Sequence, residues 1–430
     1  MFEFKTITLM YENNLDFAIK KDKEDPLNKY RNEFLIPTNN KGEDLIYLCG
    51  NSLGLQPKKT SDYIQQELID WAKFGVEGHT DAKHPWLPYH EFLTNSMAKI
   101  VGAKPSEVVI MNSLTTNLHL MMVSFYQPSK NKYKILIERD AFPSDKYAVE
   151  SQLKLHGYCE KKGLIQWKPR EGEELCRIED LERIMQEQGD EIALIMIGAT
   201  NYYSGQLYPL KKITEIGHQF NCLVGFDLAH GVGNIQPNLH DTDADFAVWC
   251  TYKYLNSGPG SLGGCFVHER HANNSALNRF AGWWGHNKKT RFNMRQEFDV
   301  LPGAEGWQLS NPAILSMAAI RSSLDLFDKA GFSNLISKSK SLTGFLEYLI
   351  NDLNNSKINI ITPKNPKERG CQLSIQVKDA NKKLHTQLTK SGVISDWREP
   401  DVIRVAPAPL YNSYQDVYEF VQRLKKILTQ

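Results

Sequence analysis

An aspartate and a lysine stand where two apolar runs of the chain stop. Cys222-Leu-Val-Gly-Phe226 ends on Asp227 with Leu-Ala-His230-Gly behind it, and Phe246-Ala-Val-Trp-Cys250 ends on Thr251-Tyr-Lys253. Both runs read as buried strands. In an open α/β sheet ligands bind where strands end, so a carboxylate and an amine at neighbouring strand ends can approach one site from two sides. That pair suits a pyridine cofactor, pyridoxal 5'-phosphate: the lysine forms the Schiff base and the carboxylate keeps the ring nitrogen protonated. Taken singly, each residue also has an ordinary structural use. An Asp at a strand end caps the next helix, and Tyr-Lys after a strand sits in a wet loop.

The segment after Lys253, Asn-Ser-Gly-Pro-Gly-Ser-Leu-Gly-Gly264, leads into a further apolar run, Cys265-Phe-Val267, which returns the chain to the sheet without a helix. Gly258 to Gly263 matches G-x-G-x-x-G, but a dinucleotide turn must follow a strand and open a helix. Here the pattern opens a strand and contains Pro259, so a nucleotide role is rejected.

The elements that must position the pair read as a mostly parallel sheet with crossover helices. Strands are expected at Val108 to Met111, Lys134 to Glu138, Ile192 to Ile197, Cys222 to Phe226 and Phe246 to Cys250, with amphipathic stretches between them such as Pro209 to Phe220. After Asn311-Pro312 two helices are expected, Ala313 to Ala330 and Leu335 to Leu353, then strands at Gly370 to Val377 and Val402 to Ala406 and a last helix, Tyr414 to Leu428. The expected organisation is an N-terminal segment, 1–66, packing with the small domain, a large cofactor-binding domain, 67–312, and a smaller α+β domain, 313–430.

At 430 residues, 41% of them hydrophobic, the chain is long enough for a large core and a second domain. Fifty-one Lys and Arg against 50 Asp and Glu leave a net charge of +1, which gives no bulk attraction to nucleic acid or an anionic membrane. The seven cysteines are scattered singly and read as reduced core residues. Met1-Phe-Glu-Phe-Lys lacks the charged and apolar regions of a secretory leader, and Ile192 to Ile197 is too short to span a bilayer, so a cytoplasmic protein is expected. His268-Glu-Arg-His271 falls one residue short of H-E-x-x-H and the other histidines have no partner at metal spacing, so no metal is expected.

Two further segments can complete a cofactor site. Val108-Val-Ile-Met111-Asn-Ser-Leu-Thr115-Thr reads as strand, hydroxyl-rich turn and helix start, and free N–H groups at a helix start bind phosphate; Ser and Thr are also ordinary caps there. In Glu138-Arg-Asp-Ala-Phe142-Pro-Ser144-Asp145, Phe142 can cover a ring face while Ser144 and Asp145 supply polar contacts, or the segment is a tight turn into a helix. Arg404, in Val402-Ile-Arg-Val-Ala406, has apolar neighbours on both faces and needs a carboxylate to offset its desolvation. A substrate α-carboxylate or an internal Asp or Glu can serve.

Over essentially its whole length the sequence resembles the kynureninases, fold-type I pyridoxal phosphate enzymes of the aspartate aminotransferase superfamily. The resemblance is carried by Gly50-Asn-Ser52-Leu-Gly-Leu-Gln-Pro57, Gly75-Val-Glu-Gly-His79, Leu114-Thr115, Ala141-Phe-Pro143-Ser-Asp145, Gly225-Phe-Asp-Leu-Ala-His230, Tyr252-Lys-Tyr-Leu-Asn256, Gly282-Trp-Trp-Gly285, Ser310-Asn-Pro312 and Ile403-Arg-Val-Ala-Pro407. It implies a Schiff base on Lys253 and a ring-nitrogen contact from Asp227. It implies too that Phe142 stacks on the ring with Pro143, Ser144, Asp145 and His230 beside it, and that Leu114, Thr115 and Tyr252 hold the phosphate end. Trp283 and Asn311 would come from the partner of a homodimer, and Ser52, His79, Asn311 and Arg404 would meet the substrate. Some relatives carry a hydroxyl residue where this chain has Gly198, which removes one implied contact.

The implied activity is hydrolysis of L-kynurenine or its 3-hydroxy form to L-alanine and the matching anthranilate, in tryptophan catabolism or NAD biosynthesis. Lys253, an amine kept neutral by buried and cationic surroundings, would take the Cα proton, and Tyr252 would relay a proton or bind phosphate. His79 and Asn311 match kynureninases of the animal branch, where they line the aryl pocket, which implies a preference for 3-hydroxykynurenine. The plain alternative makes His79 a satisfied loop histidine and Asn311 a cap before Pro312. Two rivals remain: a cysteine desulfurase, which needs a mobile catalytic cysteine in an exposed loop, and a non-catalytic protein that only holds the cofactor. Arg404 and the crowded Trp283, Trp284 and Trp307 favour an aryl amino acid in the site.

Overall fold

The computed structural model describes residues 11–274 and 276–429; the amino-terminal Met1-Phe-Glu-Phe-Lys stretch lies outside them. Short apolar runs rich in Ile, Val and Leu form a seven-stranded sheet. Its strands are β1 (Val108–Met111), β2 (Lys134–Glu138), β3 (Leu164–Trp167), β4 (Ile192–Gly198), β5 (Leu223–Asp227), β6 (Phe246–Cys250) and β7 (Gly263–Val267). They lie in the order β1-β7-β6-β5-β4-β2-β3. Strands β2 to β6 run parallel, and β7 enters antiparallel to both β6 and β1. The glycine-rich segment therefore opens a strand, with Gly258 and Gly260 at positive φ in the turn before it.

Helices cover both faces of the sheet, which is why its central strands read as unbroken apolar runs. Alternate residues serve opposite faces. Leu136, Ile195, Ile197, Val224, Phe226, Ala247 and Trp249 join one core cluster, while Ile135, Ile137, Leu194, Met196, Phe246 and Val248 join the other. The edge strand β3 was not expected from the sequence. Its residues are mostly half-buried, so it lacks the apolar run that marks the central strands.

A second sheet, all antiparallel, has the order β8-β9-β11-β10, where β8 is Ile358–Ile360, β9 Leu373–Val377, β10 Asp396–Arg398 and β11 Val402–Val405. Two of these four strands, β8 and β10, were not expected; each is three residues long, too short to show a period. The helices Phe332–Asp352 and Tyr414–Leu428 share this sheet's core with Phe17 and Ala18 of the helix Leu15–Glu24. Tyr414–Leu428 starts on a reciprocal cap, in which Ser413 Oγ accepts from the Asp416 N–H at 3.0 Å and Asp416 accepts from the Ser413 N–H at 3.1 Å. The helix Ile314–Ala330 instead joins the core of the large sheet through Met317, Ala318, Ile320 and Leu324.

Candidate active site

The carboxyl ends of β2, β4, β5 and β6 are neighbours in the sheet, so Glu138, Gly198, Asp227 and the loop carrying Lys253 meet in one cleft. Its walls are Leu114, Thr115, Glu138, Phe142, Ser144, Asp145, Gly198, Thr200, Tyr202, Asp227, Ala229, His230, Tyr252 and Lys253. The sheet topology thus assembles most of the residues expected to hold a cofactor. Pro143 is the first residue of the helix Pro143–Leu155, where its fixed φ and missing N–H cost nothing, and it stands outside the wall.

Two helices, Leu114–Phe125 and Pro143–Leu155, begin at the cleft. Thr115 and Ser144, each in a first turn, share a hydrogen bond at 2.9 Å between their hydroxyls. Two helix starts with unpaired N–H groups and two hydroxyls form a cradle for a phosphate. Phe142 is 47% exposed, with its ring 5.8 Å from Lys253 Nζ and edge-on to Tyr202 at 5.5 Å. An aromatic face left open beside an amine fits a flat ring that the amine can reach.

The polar groups carry unequal charge. Asp227 is buried, and its Oδ1 accepts the Ala229 N–H at 2.6 Å. Asp145 lies within hydrogen-bond reach of it; burial, then the Asp227 charge, pushes Asp145 well above the carboxylate range. One proton therefore sits on Asp145 and is donated to Asp227, which opposes the upward push of burial on Asp227 itself. The other oxygen of Asp145, Oδ1, is buried without a partner. Burial first, then the charges of Lys253, Arg404 and Arg398, hold His230 well below the usual histidine range, so its imidazole is neutral. Burial and the neighbouring Cys250 push the Tyr252 hydroxyl far up, and it keeps its proton at neutral pH. Pyridoxal phosphate fits this set: an open ring face, an anion opposite an amine, an orphaned buried carboxyl oxygen and a phosphate cradle.

Several expected residues lie elsewhere in this chain or have other neighbours than the sequence offered. In the cleft the charge of Lys253 bears on Asp145, Asp227 and His230, and the charges of Arg404 and Arg398 reach His230 as well, so anionic and cationic groups both surround it. Arg404, fully buried, does not line the cleft, and of the two partners open to it the chain supplies the internal one. Its Nη2 is ion-paired with Asp396, directly across from it in the β10–β11 register, and its Nη1 donates to the Tyr202 carbonyl. Asp396 also pairs with Arg398 at 3.0 Å. Ser52, His79, Trp283 and Asn311 stand outside the cleft of their own chain. Ser52 and Asn311 are exposed, Trp283 is 44% exposed, and His79 lies edge-on to Trp86 at 5.5 Å. Asn311 is not a cap, since Ala313 holds that position for Ile314–Ala330, and His79 is not satisfied, since its Nδ1 is buried without a partner.

Glu138, Thr200, Tyr202 and Ala229 are wall residues not singled out from the sequence. Glu138 and Tyr202 had a weak signal, each lying at or just past a strand end; Thr200 and Ala229 had none beyond that. Histidines that looked unpartnered do converge: Glu107, His240 and His268 offer atoms within 4.8 Å of one another. The two imidazoles stack with 15° between their planes and centroids 5.1 Å apart, so their in-plane lone pairs run side by side and do not converge between the rings, and Glu107 already accepts the Lys104 and Glu269 N–H groups. That grouping is built for structure. Among the described residues Cys159 is the exposed cysteine, in the turn after Pro143–Leu155, and it does not line the cleft.

Residues 335–424 match the family model of the kynureninase C-terminal domain. A kynureninase of Myxococcus xanthus is 54% identical over 98% of this chain and 99% of its own length, and one of Mus musculus is 46% identical over 96% of this chain and 92% of its own. In fold the chain is similar to a cysteine desulfurase of Thermococcus onnurineus, with a TM-score of 0.75 over 93% of this chain and 98% of that one; at 15% identity the likeness speaks for the shared fold alone. Fold, cleft and near full-length identity agree: the chain belongs to the kynureninase family.

Proposed function

We infer that this chain hydrolyses L-kynurenine or 3-hydroxy-L-kynurenine to L-alanine and the matching anthranilate with pyridoxal phosphate as its cofactor. The observation that carries the reading is the meeting of Asp227, Lys253, Phe142 and the Thr115–Ser144 cradle in one cleft of a chain with kynureninase relatives along its whole length.

Bound in that cleft, pyridoxal phosphate supplies an electron sink for the pair left on Cβ when the Cβ–Cγ bond breaks. The chain's residues do the rest. Lys253 Nζ would anchor the cofactor and, once free, would take the substrate's Cα proton. Asp227, relieved by the Asp145 proton, keeps its negative charge for the ring nitrogen. Thr115 and Ser144 hold the phosphate, Phe142 covers the ring and neutral His230 offers a hydrogen bond without adding charge. Water adds to the side-chain carbonyl, and the protonated Tyr252 hydroxyl supplies the proton the alanine Cβ needs. Arg404 takes the substrate's α-carboxylate when Asp396 turns fully to Arg398.

The working form is a homodimer, with Trp283 and Asn311 completing the partner's site. Exposed Phe280, Trp283, Phe292, Met294 and Phe298 support this, since a band of large apolar side chains on one segment marks a contact surface. A cytoplasmic location is supported by seven cysteines, all free. Among the described residues no helix is long and apolar enough to cross a membrane. Incubation of the holoenzyme with L-kynurenine should release fluorescent anthranilate and alanine in equal amounts. Cofactor binding without product would leave only a storage protein.

A further inference from the structure

Glu138 ends β2 beside Gly198, the end of β4, which in turn pairs with Asp227 at the end of β5. It opens onto the cleft yet is 3% exposed. Both its oxygens share the Gly198 N–H at 3.2 Å, and a Cβ at position 198 would come within 2.8 Å of Oε1, so glycine is what lets the carboxyl rest there. Among the described residues, apart from its own N–H it has no other donor, and no cation is among the groups that bear on its charge. A carboxylate in so dry a place needs more donors than that to stay ionised. The titratable groups that face it are Asp227 from β5 and Asp145 from Pro143–Leu155, with Lys253 and His230 across the cleft. Behind it stand Cys176 and Tyr208, both held protonated by burial.

We propose that Glu138 is a positioning residue of the cofactor cleft, a third carboxyl that keeps its own proton and so leaves the negative charge beside the cofactor ring to Asp227. The proposal rests on the reading of Asp227 as the ring nitrogen's partner. Burial, together with the Asp227 charge, pushes Glu138 up to about 8. At neutral pH it is an acid that adds no charge; above that it becomes a further anion next to Asp145 and Asp227. An added anion strengthens the hold of neighbouring groups on their protons. Ionised Glu138 therefore raises the pH at which the bound cofactor gives up its proton.

The test compares the wild type with Glu138→Gln, which keeps the size but cannot ionise, and with Gly198→Ala, whose methyl pushes the carboxyl off its N–H. Two readings are taken: the absorbance of bound pyridoxal phosphate across alkaline pH, and the protons exchanged when pyridoxal phosphate is added to apoprotein near pH 8, by calorimetry in two buffers of different ionisation enthalpy. In Glu138→Gln the absorbance transition should fall by roughly half a pH unit or more, and the proton count should change by about a third of a proton or more. Curves that superpose on the wild type in both readings would overturn the proposal and leave Glu138 a residue of the fold. If Glu138→Gln does not fold, Gly198→Ala decides, since loss of the N–H should move the proton exchange to higher pH, and an unchanged exchange would overturn the proposal equally. Asp227→Ala separates the two readings: an absorbance curve equal to the wild type's there removes the ring-nitrogen role and the proposal with it.

Discussion

The cleft at the strand ends and the band around Trp283 are built from the same chain but are not equally finished. In the cleft, neighbouring strands deliver Glu138, Asp227 and Lys253 to one place and two helix starts close the other side. There Asp145 and Asp227 lie within hydrogen-bond reach of each other, and Lys253 Nζ faces the Phe142 ring at 5.8 Å. Away from the cleft, Trp283 stands 44% exposed in the band, Asn311 is exposed and His79 keeps a buried Nδ1 with no partner among the described residues. Residues at the ends of sheet strands are placed by the backbone hydrogen-bond register, which one chain completes alone. Residues on long connections have no such frame, and our reading is that a second copy supplies it.

The cleft is broken most severely at Lys253. Lys253→Ala should lower turnover by at least about 10³-fold, because the covalent anchor and the Cα base are lost together. Anthranilate fluorescence under saturating substrate measures it, and near-normal turnover would end the assignment. The band is tested against this background. Mixing Lys253→Ala with an inactive Asn311 or Trp283 variant should restore about half the wild-type turnover per hybrid dimer, since one of its two sites then has every part. Verified hybrids that stay inactive would return Asn311 and Trp283 to their own subunit's site or core.

Smaller losses distinguish roles inside the cleft. Asp227→Ala should retain cofactor but slow turnover by roughly 10²-fold, as expected when a preorganised electrostatic partner is removed. A loss under about three-fold would place the ring-nitrogen contact elsewhere. Arg404→Lys should raise KM about ten-fold with a lesser fall in kcat, because a point charge replaces a fork in a contact made in ground and transition states alike. If KM does not move, Arg404 serves Asp396 only, and the ion pair is part of the small sheet.

What could be read in the sequence follows the same division. Asp227 and Lys253 were legible because parallel strands buried on both faces stand out as apolar runs and a polar residue at the end of one is conspicuous. Glu138 also ends such a run, but a lone carboxylate there has an ordinary use as a cap, and its role depends on which strands lie beside it. The Arg404–Asp396 pair was half legible. The need for a carboxylate followed from an arginine among apolar neighbours, whereas the identity of the partner needed the β10–β11 register, which three residues of β10 are too few to reveal. Edge strand β3 escaped because its side chains are half wet. The resemblance supplied His79 and Asn311; no local pattern did.

The smallest expected effect is the sharpest test of the residues outside the cleft, because it asks what His79 and Asn311 are for. Neither ordinary structural use holds within the chain: Ala313, not Asn311, precedes the helix, and His79 Nδ1 is buried without a partner. A buried polar atom left unpaired costs about 1–3 kcal/mol, and a net hydrogen bond contributes about 0.5–1.5 kcal/mol. A substrate ring bearing a hydroxyl can relieve that cost, and a plain ring cannot. We therefore expect 3-hydroxykynurenine to be favoured over kynurenine by roughly ten-fold in kcat/KM, the scale those energies set. His79→Phe should erase most of the preference by slowing the hydroxylated substrate while leaving the plain one nearly unchanged. Both substrates measured on both proteins decide it. If the substitution slows them equally, His79 supports the loop that carries it. If the wild type shows no preference at all, the aryl pocket does not read the hydroxyl, and the unpaired Nδ1 belongs to a contact with the partner subunit itself.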